Sequence, residues 1–382
     1  MNATVDTLIS LLRSAITGTN EPIDLADVDY EALFSLAKFH DLAHIVYAEL
    51  NNRIEHWEGE SCRRFKQQYD IAIYRCIKRD LAIAQLRQAL ESAGIPFVLL
   101  KGACLMQLYP EAWMRTSSDI DVLVRQADSQ KAADTLQEAG FEKVLETAHD
   151  FSLYSPDKYH VELHYTLIED NRLPNASAVL ETVWENTEPA ENRSEQMLND
   201  AMFYFYHIAH MAKHFKDGGC GIRSFMDIWL LHHTVPFDAA RRDEFLRDGG
   251  LLAFARQSEN LAEQWFSNTA GGAESPDFAE FVINGGLYGS AEHNVLVRKQ
   301  QASNRAAFYF RRFFPPYSRM KFGYPVLQKC PLLLPFCWVA RWLKLLNPST
   351  RKKALQEVKI ESTTDDATGK NIETLMKDLE LW

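Results

Sequence analysis

The stretch Ser117-Ser118-Asp119-Ile120-Asp121-Val122-Leu123-Val124 constrains the fold of this 382-residue chain more than any other. It alternates acidic with apolar residues and then runs apolar, the pattern of a strand with one buried face. Successive side chains on a strand point to opposite faces, so Asp119 and Asp121 share a side, about 7 Å apart at the Cα level. Ile120, Val122 and Val124 leave the other side wholly apolar, which marks the strand as central in its sheet. A solvated edge strand also tolerates two aspartates, but it does not need so apolar a reverse face. Two carboxylates on one strand face repel unless a cation sits between them, and hard oxygen ligands of this kind suit Mg²⁺ or Mn²⁺.

The flanking residues extend that chemistry. Pro96 to Leu100 is a short apolar run after a glycine, the mark of a buried strand, and Lys101-Gly102 leads from it into a short helix over Ala103–Tyr109. Gly102 allows close backbone approach, the helix start offers N–H groups to an anion, and Lys101 adds charge, so the junction is expected to cradle phosphate. Arg115, four residues before Asp119, adds a further phosphate contact. Asp128 is expected to cap a helix over Gln130–Ala139 closed by Gly140, and Phe141–Leu145, Phe151–Tyr154 and Tyr159–Tyr165 read as further strands. The last contains the alternation His160-Val161-Glu162-Leu163-His164. If it neighbours the aspartate strand, Asp119, Asp121 and Glu162 converge as two-metal phosphoryl transfer requires.

This α/β unit, residues 95–170, is set among helices. Residues 1–94 are helical, with Leu8, Leu11, Leu12 and Ile16 at helical spacing, Asp29 as a cap, and a long helix from about 62 to 93 whose face is Ile73, Ile77, Leu81 and Leu86. Beyond Asn171 the chain reads as helical again to 290, with Met197–Phe215 and Ile222–His232 as its clearest segments. His207, His210 and His214 share a helical face. One helix cannot close a tetrahedral zinc site alone, so this face is expected to pack on the α/β unit and bring Lys213 or His214 towards a nucleotide. Arg223 and Asp227, one turn apart, suit an intrahelical ion pair. The His40-Asp41 and His149-Asp150 pairs fail as phosphohydrolase motifs, the first for want of an earlier histidine and the second for lying outside a helix.

Charge is uneven along the chain. The net charge of −11 disfavours promiscuous binding to nucleic acid or anionic lipid, yet His293 to Gln356 contains no Asp or Glu and 13 Lys and Arg, interleaved with aromatics. A basic, aromatic region over 291–346 and a tail over 347–382 follow. Two readings stay open for residues 293–356: contact with an anionic surface, whether lipid or nucleic acid, or packing against the chain's own acidic remainder. The longest apolar run, Pro331–Ala340, falls short of the roughly 20 residues a spanning helix needs. With no basic, cleavable leader and six cysteines in neither CxxC nor zinc spacing, the chain is expected in the cytoplasm, with peripheral membrane contact as an option. No Walker loop, Rossmann glycine pattern or nucleophile elbow is present.

The ordered combination LLKGACLMQLYPEAWMRTSSDIDVLVR and then HVELHY resembles the nucleotidyltransferase superfamily that includes DNA polymerase β, and most of all its bacterial group of uncharacterised nucleotidyltransferases. The likeness continues through HIAHMAKHF and GIRSFMDIWLL. It implies an α+β fold, a nucleotidyltransferase-type mixed sheet between helical N- and C-terminal regions. It also implies a reaction that moves a nucleoside monophosphate from an NTP such as ATP to a hydroxyl or phosphate acceptor, with release of pyrophosphate. By this resemblance Asp119, Asp121 and Glu162 are catalytic metal ligands for Mg²⁺ or Mn²⁺, and Lys101, Gly102, Arg115 and Ser118 bind the nucleotide. The superfamily usually has Gly-Ser or Gly-Gly where this chain has Lys101-Gly102-Ala103, which removes a hydroxyl contact. A Lys-Gly loop also occurs in nucleotidyltransferase-like toxins, which place a lysine and an aspartate on later helices, matched here by Lys213 and Asp227. The acceptor class stays open between a small molecule, a glycan precursor, RNA and protein, and a catalytically silent nucleotide-binding module is the non-enzyme alternative.

Overall fold

The strand carrying the two aspartates lies at the middle of the sheet. In the computed structural model, which describes residues 3–167, 173–191, 193–267, 276–287, 289, 293, 310, 313–317, 320, 324, 326–344 and 366–382, the sheet has the order β3-β4-β5-β2-β1-β7-β6. Its strands are β1 (Phe97–Leu99), β2 (Asp119–Val124), β3 (Glu142–Glu146), β4 (Asp150–Tyr154), β5 (His160–His164), β6 (Thr187–Pro189) and β7 (Glu195–Leu198). β2 runs antiparallel to β1 and parallel to β5, and β1 runs parallel to β7, so the sheet is mixed. The α+β architecture expected from the sequence is the one found.

Helices precede the sheet: α1 (Ala3–Thr17), α2 (Tyr30–Phe39), α3 (Ala43–Arg53) and the 33-residue α4 (Glu60–Ser92). Asp29 caps α2 as expected, its carboxylate accepting from the amides of Glu31 and Ala32. The four-residue α5 (Gly102–Leu105) follows β1, and α6 (Ser129–Glu138) follows β2. One sheet face is closed by Ile83, Leu86 and Leu90 of α4 and Ala132, Ala133 and Leu136 of α6, which share a core with Ile120, Val122, Val124, Val161 and Leu163. Burying each large apolar side chain there contributes about 1.5–3 kcal/mol.

Three local expectations need correction. Asp128 makes no side-chain cap: a 3₁₀ turn over Gln126–Asp128 already holds it in helical geometry before α6 starts. On α4, Ile77 and Leu81 are 55% and 49% exposed, while Arg79 is only 1% exposed. The buried face runs instead through Phe65, Ala72, Arg79, Ala82, Ile83, Leu86 and Leu90. Beyond residue 171 the chain is not helical throughout. After α7 (Pro174–Leu180) come β6 and β7, so Met197 and Leu198 belong to a strand and α8 begins at Asp200, running to Lys216. β7 is anchored through Glu195, whose buried carboxylate takes two bonds from Arg87 at 2.7 and 2.8 Å.

α9 (Ile222–Thr234) completes the elements used below. By its contacts the chain divides into a unit of Met1–Lys213 with Gly221–Ala279, which holds the whole sheet, and a unit of His214–Cys220 with Glu280–Trp382. In the second unit a small core gathers Met320, Leu327 and Cys337. Much of the acid-free segment 293–356 lies outside the described residues. Within it, the helix Leu334–Leu343 buries Cys337 and exposes Phe336, Val339 and Leu343. No described helix is long and apolar enough to cross a membrane.

Candidate metal and phosphate site

Parallel pairing of β2 with β5 sets Asp119 opposite His160, Asp121 opposite Glu162, and Leu123 opposite His164. Because side chains alternate, the face away from the apolar core carries Asp119, Asp121, His160, Glu162 and His164 together. β4 extends the array, with Asp150 opposite His164 and Ser152 opposite Glu162. Two groups converge so that their ligand atoms lie within 4.8 Å of one another: Asp119, His160 and Glu162, and Asp121, Glu162 and His164. Glu162 belongs to both.

The charges on this face are strongly coupled. Burial alone would raise the pKa of Asp121, but the Lys101 ammonium at 2.8 Å and His164 Nε2 at 2.9 Å hold it below the usual carboxylate range. Asp119 moves the other way, raised by burial and then by the neighbouring charge of Asp121. Among the described residues its one hydrogen bond comes from Ser117 Oγ at 3.1 Å, and no cationic side chain stands within ion-pair distance. Glu162 is lowered by its bond from His164, at 3.4 Å. Burial works against the imidazolium of His164, yet its bonds to Asp121 and Glu162 raise its pKa to about 9. Three converging carboxylates, one of them without a cationic partner, fit a divalent cation.

The turn after β1 is unusual at the lysine and not at the glycine. Lys101 has φ +44° and ψ −119°, a region that L-residues rarely occupy and that clusters at functional sites. This backbone turns the lysine towards Asp121. The amides of Ala103, Cys104 and Leu105 already bond to the carbonyls of Leu100 and Lys101. A phosphate therefore does not meet an open row of helix-start donors, as the sequence suggested. A Cβ on Gly102 would stand 3.0 Å from Ser117 Oγ and 3.1 Å from Ser117 Cβ. A side chain there would press on Ser117, which would have to give by a few tenths of an ångström where the segment leading into β2 closes over the turn.

That segment, residues 112–118, is clamped by buried charges. Arg115 donates through Nε to both oxygens of Asp227 on α9, at 2.8 and 3.1 Å, and Tyr109 donates to Asp227 at 2.7 Å. Asp227 is thus tied across the fold to Arg115, while Arg223 reaches Asp41 at 3.2 Å and Thr116 Oγ1 at 2.9 Å. Arg79 of α4 donates to the Arg115 carbonyl at 2.9 Å, and Tyr159 to the Ser117 carbonyl at 2.7 Å. Nη1 of Arg115 still stands 3.9 Å from the position of a Gly102 Cβ, beside the turn.

The structure therefore brings Lys101, Gly102, Asp119, Asp121 and Glu162 together, with Arg115 behind them. Ser118 is exposed, and it is Ser117 that meets Asp119 and Gly102. Lys213 is half-buried on α8, seven residues and two helical turns beyond Tyr206, which lies close enough to Lys101 to act on its charge. His207 on the same helix is buried against the Ser224 carbonyl. Sequence reasoning gave no role to His160, His164, Ser117 or Arg79, and met Asp41 and Asp150 only in the two pairs it set aside as phosphohydrolase motifs. The two histidines had a readable signal, since they flank Glu162 at spacing two and share its strand face.

Carboxylates and imidazoles on adjacent central strands, beside a lysine-bearing turn, form a cluster whose geometry suits a metal ion. The chain belongs to the family described as uncharacterised nucleotidyltransferases, whose model matches residues 26–267 and so covers all seven strands. No curated protein and no solved structure matches it.

Proposed function

We propose that the chain transfers a nucleoside monophosphate from an NTP to a hydroxyl or phosphate acceptor. The bond between the α- and β-phosphates breaks, a new P–O bond forms from acceptor to α-phosphorus, and pyrophosphate leaves. The observation that carries this reading is the convergence of Asp119, Asp121 and Glu162 beside Lys101 in a chain of this family. Asp119, Asp121 and Glu162 would hold the divalent ion, which when bound neutralises triphosphate charge and makes the acceptor oxygen a better nucleophile.

The chain's own residues do the rest. Lys101, held against Asp121, presents its ammonium where a phosphate approaches. Ser117 orients Asp119 through its hydroxyl. The lowered pKa of Glu162 suits a ligand better than a general base, whose pKa should lie near the working pH. Arg79, Arg223 and the Arg115–Asp227 pair hold the 112–118 segment in register, so the two aspartates arrive at a fixed spacing. Lys213 is given to the triphosphate on the resemblance alone, two helical turns along α8 from Tyr206. The six cysteines are unpaired, which supports the cytoplasmic setting in which this reaction is placed.

The test uses purified protein with NTPs labelled at the α-phosphate and cell extract as the source of acceptor. Label should enter a macromolecular or small-molecule fraction, and Asp119→Ala should abolish transfer while keeping the native circular-dichroism spectrum. Undiminished transfer by that variant would refute the site.

A further inference from the structure

Building on the reading that this face binds a divalent ion, we propose that His160 and His164 are nitrogen ligands to it, and that the site selects a transition ion of the Mn²⁺ type over Mg²⁺. Each of the two converging groups contains one imidazole beside its carboxylates, and Glu162 bridges them. The pattern arises from β5 itself, which carries His160, Glu162 and His164 on one face at spacing two.

Metal-bound histidines are characteristically held by a second polar partner, and each ring has a polar neighbour here. Asp150 Oδ2 stands 4.0 Å from His164 Nδ1, on the far side of the ring from the Nε2 that meets Asp121 and Glu162. His160 is fixed by Ser152 Oγ, 2.8 Å from its Nε2, and by the Tyr154 ring at 5.2 Å. Mg²⁺ demands near-ideal oxygen coordination and gives up its waters reluctantly, whereas Mn²⁺, though it also favours oxygen, accepts imidazole more readily, and later first-row ions more readily still. An imidazole in each group therefore biases both positions away from Mg²⁺. The bland alternative is that His164 only neutralises Asp121 and Glu162. That role requires no nitrogen on the metal and gives the two ions no reason to differ.

The experiment is Mn²⁺ binding to the full-length protein, followed by electron paramagnetic resonance, with Mg²⁺ as competitor. Bound Mn²⁺ should show coupling to ¹⁴N in pulsed spectra, and Mg²⁺ should compete at least about tenfold more weakly than its concentration warrants. His164→Gln and, independently, His160→Gln should each weaken Mn²⁺ binding by about tenfold or more, and Asp150→Asn by a similar factor acting through His164. Mg²⁺ binding should change far less in all three. Thermal unfolding of each variant checks that the fold survives, and two histidine variants keep the test alive if one does not fold.

Bound Mn²⁺ without ¹⁴N coupling, or histidine variants that bind Mn²⁺ like the native chain, would overturn the inference. In that case Asp119→Asn separates the levels. If it still abolishes binding of both ions, the carboxylate site stands and only the histidine assignment falls. If it binds both like the native chain, the metal reading itself falls.

Discussion

Lys101 offers a perturbation whose size follows from two structural quantities. Its ammonium lies 2.8 Å from Asp121, and the two side chains are 22% and 3% exposed. Removing one partner of a buried pair costs about 3–5 kcal/mol. The lower end applies, because the lysine is partly solvated and His164 still reaches the same oxygen. The second quantity is backbone strain at φ +44°, which costs about 1–3 kcal/mol for a residue with a Cβ. Lys101→Ala loses the ion pair and keeps the strain. Lys101→Gly loses both, at an extra entropic cost of about 0.5–1 kcal/mol from the freer unfolded chain. The alanine variant should thus be about 3 kcal/mol less stable than the native protein, and the glycine variant about 1 kcal/mol more stable than the alanine one. Urea unfolding followed by tryptophan fluorescence, extrapolated to water, measures both. A glycine variant less stable than the alanine one would refute the strain argument, and native stability in both would refute the ion pair.

Three further predictions concern stability, pH and surface. Asp119 is half-buried beside a like charge, so Asp119→Asn should stabilise the metal-free protein by about 0.5–2 kcal/mol while removing metal binding; a lowered urea midpoint would contradict this. Burial lowers the pKa of His44 and His207 below 6.5, so the unfolded chain takes up protons first and stability is lost as pH falls through 6.5. His44→Gln should flatten the fall in melting temperature between about pH 7 and 5.5, and an unchanged slope would show that His44 does not contribute. Phe336 and Leu343 are exposed on one helix together with Arg341, with Lys344 just past its end, in a segment without acids, so the protein should sediment with vesicles containing phosphatidylserine and Phe336→Asp should not. Equal sedimentation with neutral vesicles would remove the charge from that account.

What could be read in the sequence was whatever the local pattern dictates. The alternation in β2 and β5 placed three carboxylates on strand faces, and the parallel register then put Asp121 directly opposite Glu162. β6 and β7 escaped because they are three and four residues long, and because Glu195 is buried by Arg87 from α4, a partner 108 residues away. The apolar periodicity of α4 pointed to Ile77 and Leu81, yet the fold turns Arg79 inward so that its guanidinium can reach the carbonyl of Arg115. A buried arginine pays its desolvation only where such acceptors wait, and those come from tertiary structure. The same applies to Arg115, whose partner Asp227 lies 112 residues further on. His160 and His164 were legible in principle, because spacing two on a strand assigns them the face of Glu162.

The most direct test of the central claim is transfer of labelled α-phosphate by the native protein and by Asp121→Asn, measured side by side with nucleotide binding. The account predicts label transfer with pyrophosphate release by the native protein, and loss of transfer in a variant that stays folded and still binds NTP. Equal transfer by both proteins would contradict the assignment of Asp121. NTP binding by the native protein with no transfer to any acceptor fraction would contradict the proposed activity and identify the site as a catalytically silent nucleotide-binding module.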